Sequence, residues 1–172
     1  MIARGGTWAR VAGLGLALAV VAGCARDDEA AMRARLGQWF SLDETVAFSA
    51  RMDCAAAHFG IVDGAIKAAM PLERGVAGML RALDRRGVAA LDDARQAPGD
   101  GIAAVLDADR AVGTAMRLAA LEARACMSGP LEGRFRQLLT RPRAVLAYDT
   151  ENGAVMVLDR GAGVLLVAMG AS

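Results

Sequence analysis

The sequence contains few aromatic residues, a single histidine and a single lysine, and these scarcities restrict what the chain can be. Two Trp, one Tyr and four Phe among 172 residues leave Ala, Leu, Val and Met to fill the core. His58 alone cannot supply the several ligands that a zinc site requires. The basic side chains are almost all arginine, because Lys67 is the only lysine. Internal repeats and low-complexity segments are also lacking, which excludes repeat arrays.

The chain lacks a hydrophobic run long enough to cross a bilayer. Its main apolar run near the N-terminus, 11–22, has about a dozen residues, whereas a membrane-spanning helix needs roughly 20. The run follows a start that carries Arg4 and Arg10 and no acid, and Gly23 comes after it. A basic start, a short apolar core and small residues before a cleavage point are typical of a secretory signal. We therefore expect residues 1–23 to be a leader that is removed.

The residues that close this leader are Val21, Ala22, Gly23 and Cys24. An aliphatic residue, two small residues and a cysteine resemble the lipobox of bacterial lipoproteins, and the resemblance covers residues 1–24 only. It implies that the Cys24 thiol carries diacylglycerol, that the chain is cut before Cys24, and that the new amine is acylated. Two or three chains anchor durably, whereas one chain anchors marginally. The alternative is a secreted protein in which Cys24 is incidental.

Charge gives no indication of a nucleic-acid partner. The full chain has 20 basic and 19 acidic side chains. Removing Arg4 and Arg10 with the leader leaves 18 basic against 19 acidic side chains. A chain without excess positive charge is not expected to bind nucleic acid. The expected contacts are the membrane through the N-terminal lipid and, as a candidate, an envelope protein.

Two cysteines remain once Cys24 is assigned to the lipid. An even pair in an oxidising compartment predicts a disulfide between Cys54 and Cys126. Closing a loop of that length would stabilise the fold by about 4 kcal/mol in the chain-entropy view. The alternative is two separate buried thiols that behave as small apolar residues.

Apolar residues at helical spacing predict that most of the chain is helical. Phe48, Met52, Ala55 and Phe59 form one such stripe. The helix that carries it is predicted to begin near Ser41, which is followed three residues later by an acid, as in a capping box. A disulfide from Cys54 would then join the first long helix to a later one. Helices are predicted at 29–36, 42–59, 71–86, 88–95, 102–127 and 131–140, with Asp100 as a candidate cap.

Three short Val- and Leu-rich runs follow, at 144–148, 154–158 and 164–169. They are separated by turn residues, including Asn152-Gly153, which is a strong hairpin signal. The expected fold class is therefore mainly α with a small C-terminal antiparallel β meander. The expected organisation is a signal peptide at 1–23, a lipidated tether at 24–38, and a single helical domain at 39–172 that ends in the meander at 144–169.

The candidates for chemistry are few. His58 follows Cys54 by four residues, and on a helix the two would share a face, where they could bind zinc or activate a thiolate. Oxidation of Cys54 would remove both options, and a structural histidine is the simpler interpretation. Paired acids occur at Asp92-Asp93 and at Asp107 and Asp109. Because arginines stand beside them, a solvated surface is favoured over acid–base or cation chemistry.

Two further patterns are set aside. Gly161-Ala162-Gly163 lacks the third glycine of a phosphate loop and lies between predicted strands. Scattered methionines could suggest copper, but their spacing is typical of core residues. The sequence thus predicts no catalytic residue, no cofactor and no metal site.

The leading hypothesis is a lipid-anchored bacterial envelope protein that faces the periplasm and has a structural or interaction role. An apolar or cationic groove on the folded domain would support it. The alternative is a small periplasmic enzyme or a metal or ligand carrier that uses Cys54, His58 or an acidic cluster. An aspartate directly after the cysteine can retain a lipoprotein in the inner membrane. Ala25 occupies that position, so the choice between inner and outer membrane stays undetermined.

Overall fold

The computed structural model describes residues 26–171, which form one seven-stranded sheet with helices on both faces. The helices are α1 (Glu29–Leu36), α2 (Val76–Arg86), α3 (Pro98–Ala108), α4 (Arg110–Glu122) and α5 (Gly129–Leu139), and a 3₁₀ turn, Ala123–Cys126, follows α4. The strands are β1 (Phe40–Ala50), β2 (Ala55–Ile66), β3 (Leu72–Glu73), β4 (Val88–Leu91), β5 (Val145–Asp149), β6 (Ala154–Asp159) and β7 (Val164–Met169). Their order is β1-β2-β7-β6-β5-β4-β3, and only β3 and β4 pair in parallel.

The sheet separates two hydrophobic cores. One core lies under α2, α3, α4 and α5 and includes Met79, Val105, Met116 and Phe135. The other lies under α1 and the residues around it and includes Met32, Leu36, Trp39 and Phe40. Every residue of β5, β6 and β7 is buried, as expected for strands covered on both faces.

The predicted fold class, mainly α with a small C-terminal antiparallel meander, is wrong. The meander itself forms at the predicted places, as β5, β6 and β7. It lies in the middle of the seven-stranded sheet, between β2 and β4. The reason is that strands buried on both faces read as continuous apolar runs, and such runs need neighbours on each side as well as above and below.

The helix predicted at 42–59 is a β-hairpin made of β1 and β2. Ala55, Ala56 and Ala57 are fully buried, and successive residues of a strand face opposite sides of the sheet. The small side chains let both layers pack closely on β2. That burial outweighs the helix preference of alanine, which amounts to less than about 1 kcal/mol per residue.

The single helix predicted at 102–127 is divided at Asp109. Its backbone is extended there, with φ −142° and ψ 103°. Its carboxylate accepts hydrogen bonds from the N–H groups of Ala111 and Val112, so it caps α4. The cap of α3 is Ala97, and Asp100 lies in the first turn. The helix predicted at 88–95 is also wrong, because Val88–Leu91 is the buried strand β4.

Other local predictions are confirmed. α1 occupies the predicted 29–36, and α2 ends at Gly87, whose φ is 69°. These ends depend on local backbone chemistry, which is why the sequence predicts them well.

The helix predicted at 131–140 is α5, but it begins two positions earlier, at Gly129, where Ser128 caps it. The helix predicted at 71–86 begins only at Val76, because Leu72–Glu73 is the short strand β3.

Candidate functional site

Cys54 and Cys126 form a disulfide, as predicted. Their sulfur atoms are 2.04 Å apart and their Cα atoms 5.9 Å apart. The bond joins the residue before β2 to the end of the 3₁₀ turn, and it does not join two helices. Both cysteines are buried. Because Cys54 is oxidised, it offers neither a thiolate nucleophile nor a metal ligand.

His58 lies in the middle of β2, between Ala47 of β1 and Leu166 of β7. The helical pairing of His58 with Cys54 is therefore wrong, because four residues along a strand span about 13 Å. His58 is half-buried. Partial desolvation lowers its pKa, and the nearby positive charge of Arg134 lowers it further. A neutral imidazole at neutral pH follows, and within residues 26–171 no hydrogen bond or ion pair joins it to an acid.

Three of the four paired acids already have hydrogen-bond or ion-pair partners within the protein. Asp92 forms an ion pair with Arg160. Asp93 accepts the backbone N–H of Arg95, and this hydrogen bond is the main reason that its pKa is lowered. Asp109 caps α4, and Asp107 is exposed. Within the described part of the chain, no group of three or more His, Cys, Asp or Glu side chains could hold a metal ion.

Most of the described methionines fill the core, as their spacing indicates. Met32, Met79, Met116 and Met156 have no exposed surface. Met52 is the exception, because 77% of it is exposed in the turn between β1 and β2. No set of methionines lines a shared surface site, so their use is packing.

Cys24 lies outside the described residues, but the chain two positions after it is fixed. The Arg26 backbone N–H donates to the Arg51 carbonyl. The Arg26 side chain donates to the carbonyl oxygens of Gly170, at 3.0 Å, and Asn152, at 2.9 Å. Arg26 therefore lies where β1 and β7 end and where β5 turns into β6.

The C-terminal end of α4 lies at the same end of the molecule. A Cβ on Gly170 would be 2.8 Å from the Cα of Ala119, so β7 and α4 nearly touch there. Leu118 and Leu121, beside Ala119 in α4, are 48% and 53% exposed. We call Met52, Leu118 and Leu121 the anchor-end patch. Leu118 and Leu121 are three positions apart in α4 and so lie on one side of the helix, and Met52 lies at the same end of the molecule. Clustered large exposed side chains mark an interaction surface more often than isolated ones do.

Two adjoining grooves run beside the leucines of this patch. One, of about 550 Å³, lies between Leu106 of α3 and Leu118 of α4, with Arg110 and Arg117 on its rim. The other, of about 440 Å³, is more apolar and extends to Leu139 of α5. The first groove is also lined by Asp107 and Thr114, whereas the second is mostly apolar. An apolar groove of this kind would support the leading hypothesis.

The sequence reasoning missed Leu118 and Leu121 as surface residues. A signal was present, because neither residue belongs to the stripe of Met116, Ala119 and Ala123 that α4 buries. A leucine off the buried stripe of an amphipathic helix is exposed by default. Arg26 was assigned to a charged tether, and only the fold reveals its hydrogen bonds.

None of the helices within residues 26–171 has the length and hydrophobicity needed to cross a bilayer. Comparison with known proteins found no family model that matches the chain, and neither a curated protein nor a solved structure matched it. The function therefore has to be inferred from the residues themselves.

Proposed function

We propose that the chain is a lipid-anchored protein of the bacterial envelope, with a structural or interaction role, whose domain rests on the membrane through its anchor-end patch. The observation that carries this proposal is the position of Arg26. Arg26 comes two positions after Cys24, with only Ala25 between them, and two steps of extended chain reach at most about 7 Å. A lipid on Cys24 would thus hold the bilayer close to Met52, Leu118 and Leu121.

The burial free energies of acyl chains and of leucine side chains indicate that the lipid attaches the protein and that the patch sets its orientation. Each CH₂ of an acyl chain contributes about 0.8 kcal/mol on burial, so two or three chains dominate the affinity. A half-exposed leucine adds about 1 kcal/mol on full burial. That is too little to anchor the protein but enough to select one orientation. Arg117, at the edge of the patch, suits anionic headgroups.

The anchor is tested by the intact mass of the protein purified with detergent from a bacterial host. The expected product begins at Cys24, carries diacylglycerol and an amide-linked acyl chain, and gains two hydrogens on reduction. A Cys24→Ser variant is expected to lack the lipid mass and to leave the membrane fraction. An unlipidated wild-type chain that is cut elsewhere would remove the anchor from the proposal.

The orientation is tested with spin labels on the lipidated protein in anionic vesicles. Leu118→Cys and Leu121→Cys place the label in the patch, and Val62→Cys is the matched control. Val62 is 71% exposed and lies beside Ile61, which bonds the β6–β7 turn at the opposite end of the sheet. Cys54 and Cys126 are bonded to each other and do not react.

The labels at positions 118 and 121 are expected to be relaxed several-fold more by oxygen than by a polar nickel complex, because they enter the apolar boundary. The label at position 62 should show the reverse. Equal exposure to the aqueous complex at all three positions would mean that the patch does not touch the bilayer. The grooves of α3 and α4 would then be available to a protein partner.

A further inference from the structure

A cleft of about 430 Å³ lies at the end of the sheet opposite to Arg26. Arg26 reaches the β5–β6 turn and the residue after β7, whereas this cleft uses the β6–β7 turn and the segments after β4 and before β5. We call it the distal cleft. Its charged residues are Asp92, Arg141, Arg143, Asp159 and Arg160.

A buried carboxylate positions the first of the three arginines. Asp159 is buried, and one of its oxygens accepts the N–H groups of Gly161, at 3.0 Å, and Ala162, at 3.1 Å. Its other oxygen lies 2.8 Å from the Nε of Arg141. This contact is an ion pair without hydrogen-bond geometry, so it attracts the Arg141 guanidinium by charge, and the two terminal nitrogens make no hydrogen bond or ion pair within residues 26–171. A guanidinium has five N–H donors in a planar fork, so several remain for a ligand.

The second arginine is held by hydrogen bonds. The Nη1 of Arg160 donates to Asp92 at 2.8 Å, and its Nε donates to the Gly64 carbonyl at 2.9 Å. A Cβ on Gly64 would be 2.8 Å from the Cγ of Arg160. The absence of a side chain at Gly64 therefore lets the Arg160 stem lie flat across β2.

The third arginine, Arg143, has an unusual backbone. It is the one non-glycine residue in the described part of the chain with a positive φ, 67°. That conformation disfavours residues with a Cβ. Arg143 is exposed, and no hydrogen bond or ion pair joins its side chain to residues 26–171. A strained position that keeps an unpaired charge at a cleft is a pattern found at binding sites.

We propose that the distal cleft binds a phosphate group, with Arg141, Arg143 and Arg160 as its ligands. Three guanidiniums against two carboxylates leave one net positive charge. The arginines come from two segments of the chain, so their donors reach the cleft from separate backbone positions. A tetrahedral dianion with several acceptor oxygens can use such donors, whereas a planar monocarboxylate has only two oxygens.

The size of the cleft suits a phosphate carried on a small molecule. A volume of about 430 Å³ falls in the range of small-molecule sites, well above what a bare phosphate fills. Binding of a phosphate group in the distal cleft does not depend on a lipid at Cys24. With a lipid on Cys24, close to Arg26, the cleft would face away from the membrane and would be open to soluble ligands.

The test is calorimetric titration of the full-length processed protein with inorganic phosphate and, separately, with glycerol 3-phosphate at constant ionic strength. Saturable one-site binding of either probe is expected. Tighter binding of the ester would indicate a phosphorylated small molecule, and tighter binding of the free ion would indicate phosphate itself. Absence of saturable binding of both probes at millimolar concentration would overturn the proposal.

The decisive variant is Arg143→Gly. It removes the charge and relieves the backbone conformation, so the variant should be at least as stable as the wild type. Its dissociation constant is expected to rise about tenfold or more, as for loss of a charge-assisted hydrogen bond. Arg160→Ala should have a similar effect. Arg81→Ala, an exposed arginine on α2, is the matched control and should leave affinity unchanged. Equal affinity in Arg143→Gly and the wild type would show that the cleft is not the site.

Discussion

Replacing both Cys54 and Cys126 by alanine is expected to lower the free energy of unfolding by about 4 kcal/mol. The bond joins positions 72 residues apart, and opening that loop releases the unfolded chain from a long-range constraint. A loss of this size is a large part of the 5–15 kcal/mol by which domains of this kind are typically stable. Equilibrium unfolding in urea, with both proteins unlipidated, measures the difference.

Reduced wild-type protein is the matched control for that experiment. It lacks the bond but keeps both side chains, and it should unfold at nearly the same urea concentration as the double variant. Because both cysteines are buried, a mild reductant should open the bond only when denaturant is also present. A difference below about 1 kcal/mol between oxidised and reduced protein would mean that the unfolded chain is already restricted in some other way.

Gly113→Ala is expected to destabilise the domain by about 3 kcal/mol or more, because it separates α3 from α4. A Cβ at position 113 would be 2.2 Å from the Cα and 2.5 Å from the N of Leu106. Both of these are backbone atoms, so no rotation of a side chain can relieve the overlap. The crossing of the two helices would have to open, and the groove beside Leu106 would change shape.

The matched control is Gly133→Ala in α5. Nothing lies within 4 Å of a Cβ at that position, and Gly133 is exposed. Alanine there should stabilise the helix by up to about 1 kcal/mol. Thermal unfolding should therefore shift in opposite directions for the two glycine-to-alanine changes. A small shift of the same sign in both would contradict the close contact between α3 and α4.

The parts of the fold that depend on local chemistry were predictable. Gly87 marks the end of α2, and Asn152-Gly153 marks a hairpin. The fold class failed at β1 and β2, where the spacing of Phe48, Met52, Ala55 and Phe59 favours a helix, although the structure has a β-hairpin there. The pairing of β2 with β7 decides in favour of the strand, and no local sequence pattern connects these two segments.

The candidate sites also differ in whether the sequence alone could predict them. The disulfide could be predicted, because counting the cysteines of a chain that is expected to be exported does not require the fold. The distal cleft could not, because Asp92, Arg141 and Arg160 are far apart in the sequence. In the sequence, residues 141–143 simply follow the helix predicted at 131–140, and residues 159–161 lie between two predicted strands. The local signal was an arginine on each side of Pro142. The strand order brings this segment next to Asp159 and Arg160, and only that contact indicates a site.

The position of β7 within the sheet also governs when the fold can be completed. β7 is the last strand, yet it lies between β2 and β6. Ala57 pairs with Val167, 110 positions later, so closing that contact carries the slow search typical of long-range pairing. A chain delivered from its N-terminus would present the β1–β2 hairpin with one unpaired edge until almost its whole length had emerged. The pairing of β2 with β7 can therefore form only after β7 has emerged, and until then the edge of β2 is open to pairing with other chains.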